Sequence, residues 1–334
     1  MRVCVLSDEN FGNYDPRELL QNHEWKMYNV KRPAFDFIRD IAQREEYDVY
    51  LNLCDGAADE DRPGIDVPQA LEALNLPFTG ADSVFYAPTR EQTQVAAQRR
   101  GIGFPRGLEA RQGEPVEEMV ERAGLKFPLI VKHYESYASV GMTKESRVET
   151  MQQLRTRFDL MCGQYGGARI EEFVDGREFT ILIADNPDNL DEPYAYDPLE
   201  IIFPEGETFK HWAMKFNLDV DMDLWPVEDP ALAKRLKALV KKIYLALGGV
   251  GYGRADIRMN AEGELFLLEL NPNPSVLNVG DDKASADYMM EDDPGGVEGF
   301  LDRIFRSAIL RREKRALPPQ LSRRRKLQPV EVRR

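Results

Sequence analysis

In the C-terminal third of the chain, Gly253-Arg254-Ala255-Asp256-Ile257-Arg258-Met259 and Glu264-Leu265-Phe266-Leu267-Leu268-Glu269-Leu270-Asn271 flank Asn260-Ala261-Glu262-Gly263. Two apolar-rich runs around a glycine-bearing turn read as an antiparallel hairpin. With a four-residue loop at 260–263, Met259 falls opposite Glu264, Arg254 opposite Glu269 and Asp256 opposite Leu267. Side chains alternate faces along a strand. Arg254, Asp256, Glu269 and Asn271 therefore share one face within diagonal reach, and Ala255, Ile257, Phe266, Leu268 and Leu270 form the core face. Two carboxylates and an amide oxygen are hard donors of the kind Mg2+ or Mn2+ takes, usually with phosphate oxygens completing the octahedron. The Arg254 guanidinium can clamp a planar anion or a developing oxyanion. The alternative is a surface ion pair between Arg254 and Glu269. Leu265 and Leu267 interrupt the polar face, and the sequence does not say what they pack against.

Two further stretches carry chemistry. Phe127-Pro128-Leu129-Ile130-Val131-Lys132 is a buried strand that ends on a lysine. An unpaired buried ammonium is costly, so an anion is expected close by; the alternative is a side chain reaching out to water. The loop that follows holds Ser136, Ser139 and Gly141, which suits a flap with hydroxyl and backbone donors. The second stretch is Ile170-Glu171-Glu172-Phe173-Val174-Asp175-Gly176-Arg177-Glu178. Strand, tight turn and strand there would set backbone amides beside a planar base and a carboxylate beside sugar hydroxyls.

The elements that must position these residues change character along the chain. Val3–Leu6, Tyr47–Leu53 and Leu76–Gly80 read as strands, with helices at Pro33–Arg44 (stripe Phe35, Ile38, Ile41) and Val67–Leu74 between them. That alternation predicts a parallel sheet flanked by helices. A polar helix at Thr89–Arg100 follows, stopped by Gly101-Ile102-Gly103. The middle is short-stranded, with strands at 127–132, 169–173 and 178–184 and a helix around 148–158, as in an α+β unit. Ala231–Leu247 has a clear 3/4 apolar stripe ended by Gly248-Gly249, and Val297–Leu310 is the last helix. Phe209, Trp212 and Trp225 flank Lys215 in an expected loop, where core packing is the default reading and a lid the alternative.

Composition narrows the function classes. The chain has 334 residues, enough for about two domains. Its formal charge is −14, although the stretch from Arg311 to Arg334 is basic and contains Arg323-Arg324-Arg325-Lys326. So acidic a body repels phosphate backbones, which argues against nucleic acid as a partner. Cys4, Cys54 and Cys162 are too dispersed for a zinc cluster or disulfide framework, so a reducing, cytoplasmic setting is expected. No apolar run approaches the about 18 residues that span a membrane. His23, His133 and His211 are isolated, and there is no Walker A pattern.

Together, in order and spacing, the three stretches resemble the ATP-grasp superfamily, in its D-alanine–D-alanine ligase-like branch. Pro128-Leu129-Ile130-Val131-Lys132 with Ser139-Val140-Gly141-Met142 is similar to the first central strand and its serine-bearing flap. Glu171-Glu172-Phe173-Val174 with Gly176-Arg177-Glu178 looks like the adenine hinge and the ribose glutamate. Gly251-Tyr252-Gly253-Arg254-Ala255-Asp256 and Leu268-Glu269-Leu270-Asn271-Pro272-Asn273-Pro274 look like the catalytic arginine and the metal ligands. The resemblance covers about residues 45–310.

It implies an ATP-grasp fold: an N-terminal parallel α/β domain (1–85), a central small subdomain (86–178) and a C-terminal domain (179–312), the last two sandwiching ATP. A flexible basic tail (313–334) would follow. It further implies ATP and Mg2+ (or Mn2+) as cofactors, and small-molecule carboxylate and amine substrates joined through an acyl phosphate. Lys132, Lys215 and the flap with Ser139 would contact the phosphates, with Glu171, Phe173, Val174 and Glu178 holding the rest of the nucleotide. Asp256, Glu269 and Asn271 would hold metal. Arg254 and the backbone N–H near Ser275 would stabilise the oxyanion. A homodimer is also implied, without any interface signal in the sequence.

Departures from the pattern bear mainly on substrate. The early loop that would hold the first amino acid's ammonium has no clear counterpart in Ser7-Asp8-Glu9-Asn10, although Asp8 or Glu9 could substitute. The partner serine and tyrosine appear as Ala138 and Phe216, so the first substrate is expected not to be D-alanine. Depsipeptide formation, or ATP binding by a catalytically weak regulatory protein, are the alternatives. The helix lysine aligns with Gln92, with Arg90 close enough to supply the charge, and Ser275 stands where a glycine is usual.

Overall fold

The computed structural model describes residues 1–8, 17–57, 60–134, 140–216 and 222–316, with the side chains of Lys215, Phe216 and Ala316 outside the description. Ser139, Glu9 and Ala138 lie outside the described residues, as does the tail from residue 317.

The N-terminal part is built from β1 (Arg2–Ser7), β2 (Glu24–Asn29), α1 (Ala34–Arg44), β3 (Val49–Asn52) and α2 (Asp66–Ala73). Its three strands are parallel in the order β2-β1-β3. β2 is an edge strand whose charged residues keep it exposed on one side, which hides it from a hydrophobicity reading. Leu76–Gly80, expected as the third strand, makes only a bridge between Phe78 and Tyr50. In α1 the buried stripe is Ala34, Ile38 and Ile41, at i, i+4 and i+7. Phe35, expected in that stripe, sits one position further round the helix and is exposed.

α3 (Arg90–Arg99) begins at Thr89, whose hydroxyl accepts the Gln92 N–H while the Gln92 side chain accepts the Thr89 N–H. The next sheet contains β4 (Gly107–Arg111), β5 (Leu129–Lys132), β6 (Arg147–Val148) and β7 (Gly167–Glu172), antiparallel in the order β4-β7-β5-β6. α4 (Val116–Ala123) and α5 (Met151–Tyr165) cover one face, packing Val120, Leu154, Phe158 and Met161 on Leu129, Val131 and Ile170. Period-two alternation then turns Ile130, Lys132, Arg169 and Glu171 to the opposite face.

The largest sheet runs β11-β10-β8-β12-β13, with β9 also paired to β8. Its strands are β8 (Arg177–Ala184), β9 (Tyr194–Ala195), β10 (Leu199–Ile202), β11 (Asp223–Pro226), β12 (Tyr252–Met259) and β13 (Leu265–Asn271). α6 (Trp212–Phe216) precedes β11, and α7 (Pro230–Ala246) follows it. α7 is capped by the Asp229 side chain, with Pro230 opening the helix. Its Leu232, Leu236, Val240 and Ile243 pack on Phe179, Ile181, Ala255, Ile257 and Leu267. The other face of β8 and β12 therefore presents Glu178, Thr180, Arg254, Asp256 and Arg258. Phe209 is buried, but Trp212 and Trp225 are more than half exposed, so the default core reading fails for both tryptophans. One opens a short helix and the other lies on an edge strand.

α8 (Ser285–Asp292) and α9 (Gly296–Ala316) complete the chain. α9 carries Phe300, Leu301, Ile304, Phe305 and Ala308 into a core shared with Val3, Val5 and Leu51 on one side and Leu182 and Ala184 on the other. It runs past the expected end at Leu310 and past residue 313, where a flexible tail was expected. Arg311 and Arg315 donate to backbone carbonyls of Phe78, Gly80 and Leu76, which holds this last turn in place. All three cysteines are buried and free.

Candidate active site

The polar faces of the two larger sheets carry the residues singled out from the sequence. Glu171 on β7 is 1% exposed and is enclosed by three cations. Arg90 binds it through two nitrogens, Nε to Oε1 at 2.9 Å and Nη2 to Oε2 at 2.7 Å. Lys132 Nζ is 2.6 Å from Oε2, and Arg169 Nε is 2.5 Å from Oε1. Burial alone would raise the Glu171 carboxyl, but Arg90, Lys132 and Arg169 hold it well below the usual carboxylate range. Lys132 responds in the opposite sense. Burial, with Arg90 beside it, pushes its ammonium down to about 8 against the pull of Glu171. The anion expected next to this strand-end lysine is thus Glu171, and Lys132 does not reach out to bulk water.

Arg90 also donates to the carbonyl of Leu268 on β13 and lies 4.5 Å from the Phe104 ring centroid. It therefore joins β7 to the hairpin. Gln92 is taken up by the cap of α3, so Arg90 is the one of the two that reaches the site.

The hairpin differs from the expected register. Met259 pairs with Leu265, Arg258 with Phe266 and Ile257 with Leu267; the register then shifts, so that Asp256 pairs with Glu269 and Arg254 with Asn271. Two causes act. The loop is one residue longer than expected, running from 260 to 264, and Leu268 is an extra residue forming a β-bulge. The bulge moves Leu265 and Leu267 onto the core side, where they pack under α7, and leaves Phe266 and Leu268 only partly buried. The expected core assignment of Phe266 and Leu268 is therefore corrected, and the apolar residue on the polar face is Phe266, opposite Arg258. Asp256 and Glu269 become direct cross-strand neighbours rather than diagonal ones.

Arg254 is partly buried, its side chain 15% exposed, and its ion pair is with Asp256 at 3.4 Å, not with Glu269 across a surface. Burial works against its charge, but Asp256 and Glu269 outweigh that and raise its pKa. The Thr180 hydroxyl donates to Asp256 Oδ1 at 2.7 Å. Lys210 Nζ lies 3.2 Å from both Asp256 Oδ2 and Glu178 Oε1. Arg258 Nε lies 2.9 Å from Glu178 Oε2, and its Nη1 donates to the Val174 carbonyl at 2.8 Å. Asn271 Oδ1 accepts the Asn273 N–H at 2.9 Å. Ser275 is exposed, and its hydroxyl accepts from Asn278, one of the residues lining a nearby cavity of about 200 Å³.

Beside these charges is a small apolar cluster of Met142, Phe173 and Phe209, with Ile130 packed against it. The two rings meet edge-on at 5.7 Å, and the Arg258 guanidinium is 4.6 Å from the Phe173 centroid. The turn after Phe173 depends on Gly176, whose φ is 135° and where a Cβ would stand 2.0 Å from the Met259 carbonyl oxygen.

Sequence reasoning passed over Arg169, Lys210 and Arg258. Alternation could have found two of them, since Arg169 shares a face with Glu171 and Arg258 with Asp256. Nothing local marks Lys210. Asp8, considered as an ammonium partner, is buried and bonded to Arg62 at 2.7 Å.

Among the described residues no three His, Cys, Asp or Glu side chains group to hold a metal ion, and no helix is long and apolar enough to cross a membrane. The hairpin offers two facing carboxylates and an amide, all oxygen donors. That set fits a hard divalent ion of the Mg2+ kind, which leaves much of its octahedron to ligands from outside the protein. The ammonium already drawn to Asp256 marks the same preference for positive charge.

Comparison with known proteins bears on the family and the fold. Residues 104–280 match the family model described as D-ala D-ala ligase C-terminus. The chain is 30% identical over 246 residues to the D-alanine–D-alanine ligase of Mannheimia succiniciproducens, covering 71% of this chain and 74% of that protein. It is 30% identical over 209 residues to the enzyme of that name from Cupriavidus taiwanensis, covering 62% and 61%. Among solved structures, the D-alanine–D-alanine ligase of Bacillus anthracis complexed with ATP superposes with a TM-score of 0.68 at 18% identity, over 94% of this chain and 99% of that one. The VanG D-Ala:D-Ser ligase of Enterococcus faecalis gives 0.69 at 17% identity, over 92% and 99%. The extended matches in sequence place the family and the structural likeness its architecture: the chain belongs to the D-alanine–D-alanine ligase family and has the ATP-grasp fold.

Proposed function

We propose that this protein is an ATP- and Mg2+-dependent carboxylate–amine ligase that forms an amide through an acyl phosphate, and that its first substrate is not D-alanine. The observation that carries the reading is the pairing of Asp256 with Glu269 across the bulged ladder, flanked by Arg254 and tied to the Glu171–Lys132 pair by Arg90, which donates to the Leu268 carbonyl. Membership in a family of ADP-forming ligases supports it.

In this reading the adenine lies against Phe173 and the Val174 backbone, in the apolar cluster with Phe209 and Met142. Glu171 and Glu178 serve the base and the ribose, and Lys132, Lys215 and the Ser139 flap serve the phosphates. Asp256, Glu269 and Asn271 would hold the divalent ion, which supplies charge neutralisation at the phosphates when bound. Phosphoryl transfer needs positioning and charge stabilisation more than covalent help from the protein. A substrate carboxylate oxygen attacks the γ-phosphorus, the bond to the β,γ-bridging oxygen breaks, and ADP leaves. The amine nitrogen then attacks the acyl carbon. Arg254 and the backbone N–H at Ser275 stabilise the tetrahedral oxyanion, which collapses to the amide with loss of phosphate and a proton.

The substrate part of the proposal rests on chemistry. Ala138 and Phe216 have no hydroxyl with which to complete an ammonium site, and Asp8 is bonded to Arg62. An ADP-release assay over a panel of amino acids, other small carboxylic acids and hydroxy acids, each with amine acceptors, tests the reading. Turnover is expected for a pair that does not have D-alanine as the acid. ATP binding with no release from any pair would instead favour a regulatory protein, and ester formation would favour a depsipeptide product.

A further inference from the structure

Lys210 lies in the segment between β10 and α6, outside every motif recognised in the sequence. Its ammonium bridges carboxylates of two neighbouring strands, Glu178 on β8 and Asp256 on β12, at 3.2 Å from each. All three side chains are withdrawn from water: 16% exposed for Lys210, 3% for Glu178 and 6% for Asp256. The remaining oxygens of both acids are taken. Thr180 donates to Asp256 Oδ1, and Arg258 donates to Glu178 Oε2. A buried carboxylate fixed this way keeps its charge only if a cation stays beside it. Across the ladder Glu269 faces Asp256, and among the described residues no ion pair engages it.

The two sides of the hairpin site thus differ. Asp256 already has a cation of the protein's own, whereas Glu269 with Asn271 has an open claim on one from solution. Two facing carboxylates with phosphate between them are otherwise the setting for a pair of divalent ions.

We propose that Lys210 takes the place of one divalent cation: of the three ligands named above, Asp256 is satisfied by the Lys210 ammonium, and the nucleotide's phosphates are gathered by a single divalent ion on Glu269 and Asn271 together with that ammonium. The proposal rests on the ligase reading above for the presence of a nucleotide. It makes Lys210 a positioning residue for Asp256 and a fixed positive charge at the phosphates.

The test is a Mn2+ titration of the full chain, saturated with a non-hydrolysable ATP analogue, with free Mn2+ read from its electron paramagnetic resonance signal. The wild type is expected to bind about one Mn2+ per chain. Lys210→Met takes the ammonium from Asp256 Oδ2 while Arg254 and Thr180 stay at Oδ1, and is expected to bind about two. Lys210→Arg keeps the charge and should stay with the wild type. A wild-type value of about two overturns the proposal without recourse to any variant. So does a Lys210→Met value equal to that of the wild type in a protein that still binds the analogue. Failure of the wild type to bind the analogue at all would instead overturn the ligase reading, and this proposal with it.

Discussion

Lys132 Nζ and Glu171 Oε2 lie 2.6 Å apart across β5 and β7, with Arg90 bound to the same carboxylate. This places the lysine proposed for the phosphates in a buried ion pair, and it makes the charge of Lys132 sensitive to pH in the alkaline range. Burial lowers it to about 8, below the usual lysine value. Lys132 is therefore charged below about pH 8 and loses its proton above it. ATP affinity is expected to fall as pH rises through that point, because the free protein must regain the proton to meet the phosphates. Isothermal titration from about pH 7 to about pH 9.5 checks this. In Lys132→Met the overall affinity should be weaker and the step near pH 8 absent.

Glu171 is the common partner of Arg90, Lys132 and Arg169, so Glu171→Gln leaves three cations around a neutral amide. The expected loss of stability is about 3–5 kcal/mol, read from urea unfolding. The pH dependence has a definite sign. The folded Glu171 carboxyl is held well below its unfolded value. It therefore contributes stability that is fully present above about pH 4.3 and is lost as pH falls towards the folded value. Acid unfolding should accordingly be shallower for Glu171→Gln than for the wild type over that window.

The end of α9 is fastened to the loop after α2. Arg311 donates to Phe78 and Gly80 carbonyls at 2.6 and 3.1 Å, Arg315 donates to the Leu76 carbonyl at 2.8 Å, and both guanidinium groups lie over the Phe78 ring. Arg311→Ala is expected to cost about 1–3 kcal/mol, Arg315→Ala somewhat less. Because the two share Phe78, the double variant should depart from additivity by about 0.5 kcal/mol or more, as measured by thermal or urea unfolding in a double-mutant cycle.

The chemistry of the hairpin was legible from residue types, but its register was not. Period two assigns faces only while the ladder is regular, and one extra residue at Leu268 reverses the assignment for everything between it and the turn. The apolar pair Leu265 and Leu267 was the visible symptom of that bulge. Lys132 illustrates a second limit. Its need for an anion follows from its place on a buried strand, whereas the identity of that anion depends on β5 and β7 pairing across a helix of fifteen residues. Arg90 reaches Glu171 and Lys210 reaches Asp256 across still longer separations, and neither has a local pattern to mark it. β2 escaped notice because an edge strand with charged residues lacks the apolar run by which β1 and β3 announce themselves.

The central claim is that buried Asp256, facing Glu269, serves phosphoryl transfer to a carboxylate. Hydroxylamine trapping tests it most directly, with ATP, Mg2+ and a panel of small acids, following hydroxamate and ADP together. The wild type should give both in equal amounts with at least one acid, and Asp256→Asn should retain its fold while losing about 100-fold or more of that rate. A wild type that binds ATP yet yields neither hydroxamate nor acid-dependent ADP, or an Asp256→Asn variant as active as the wild type, contradicts the account.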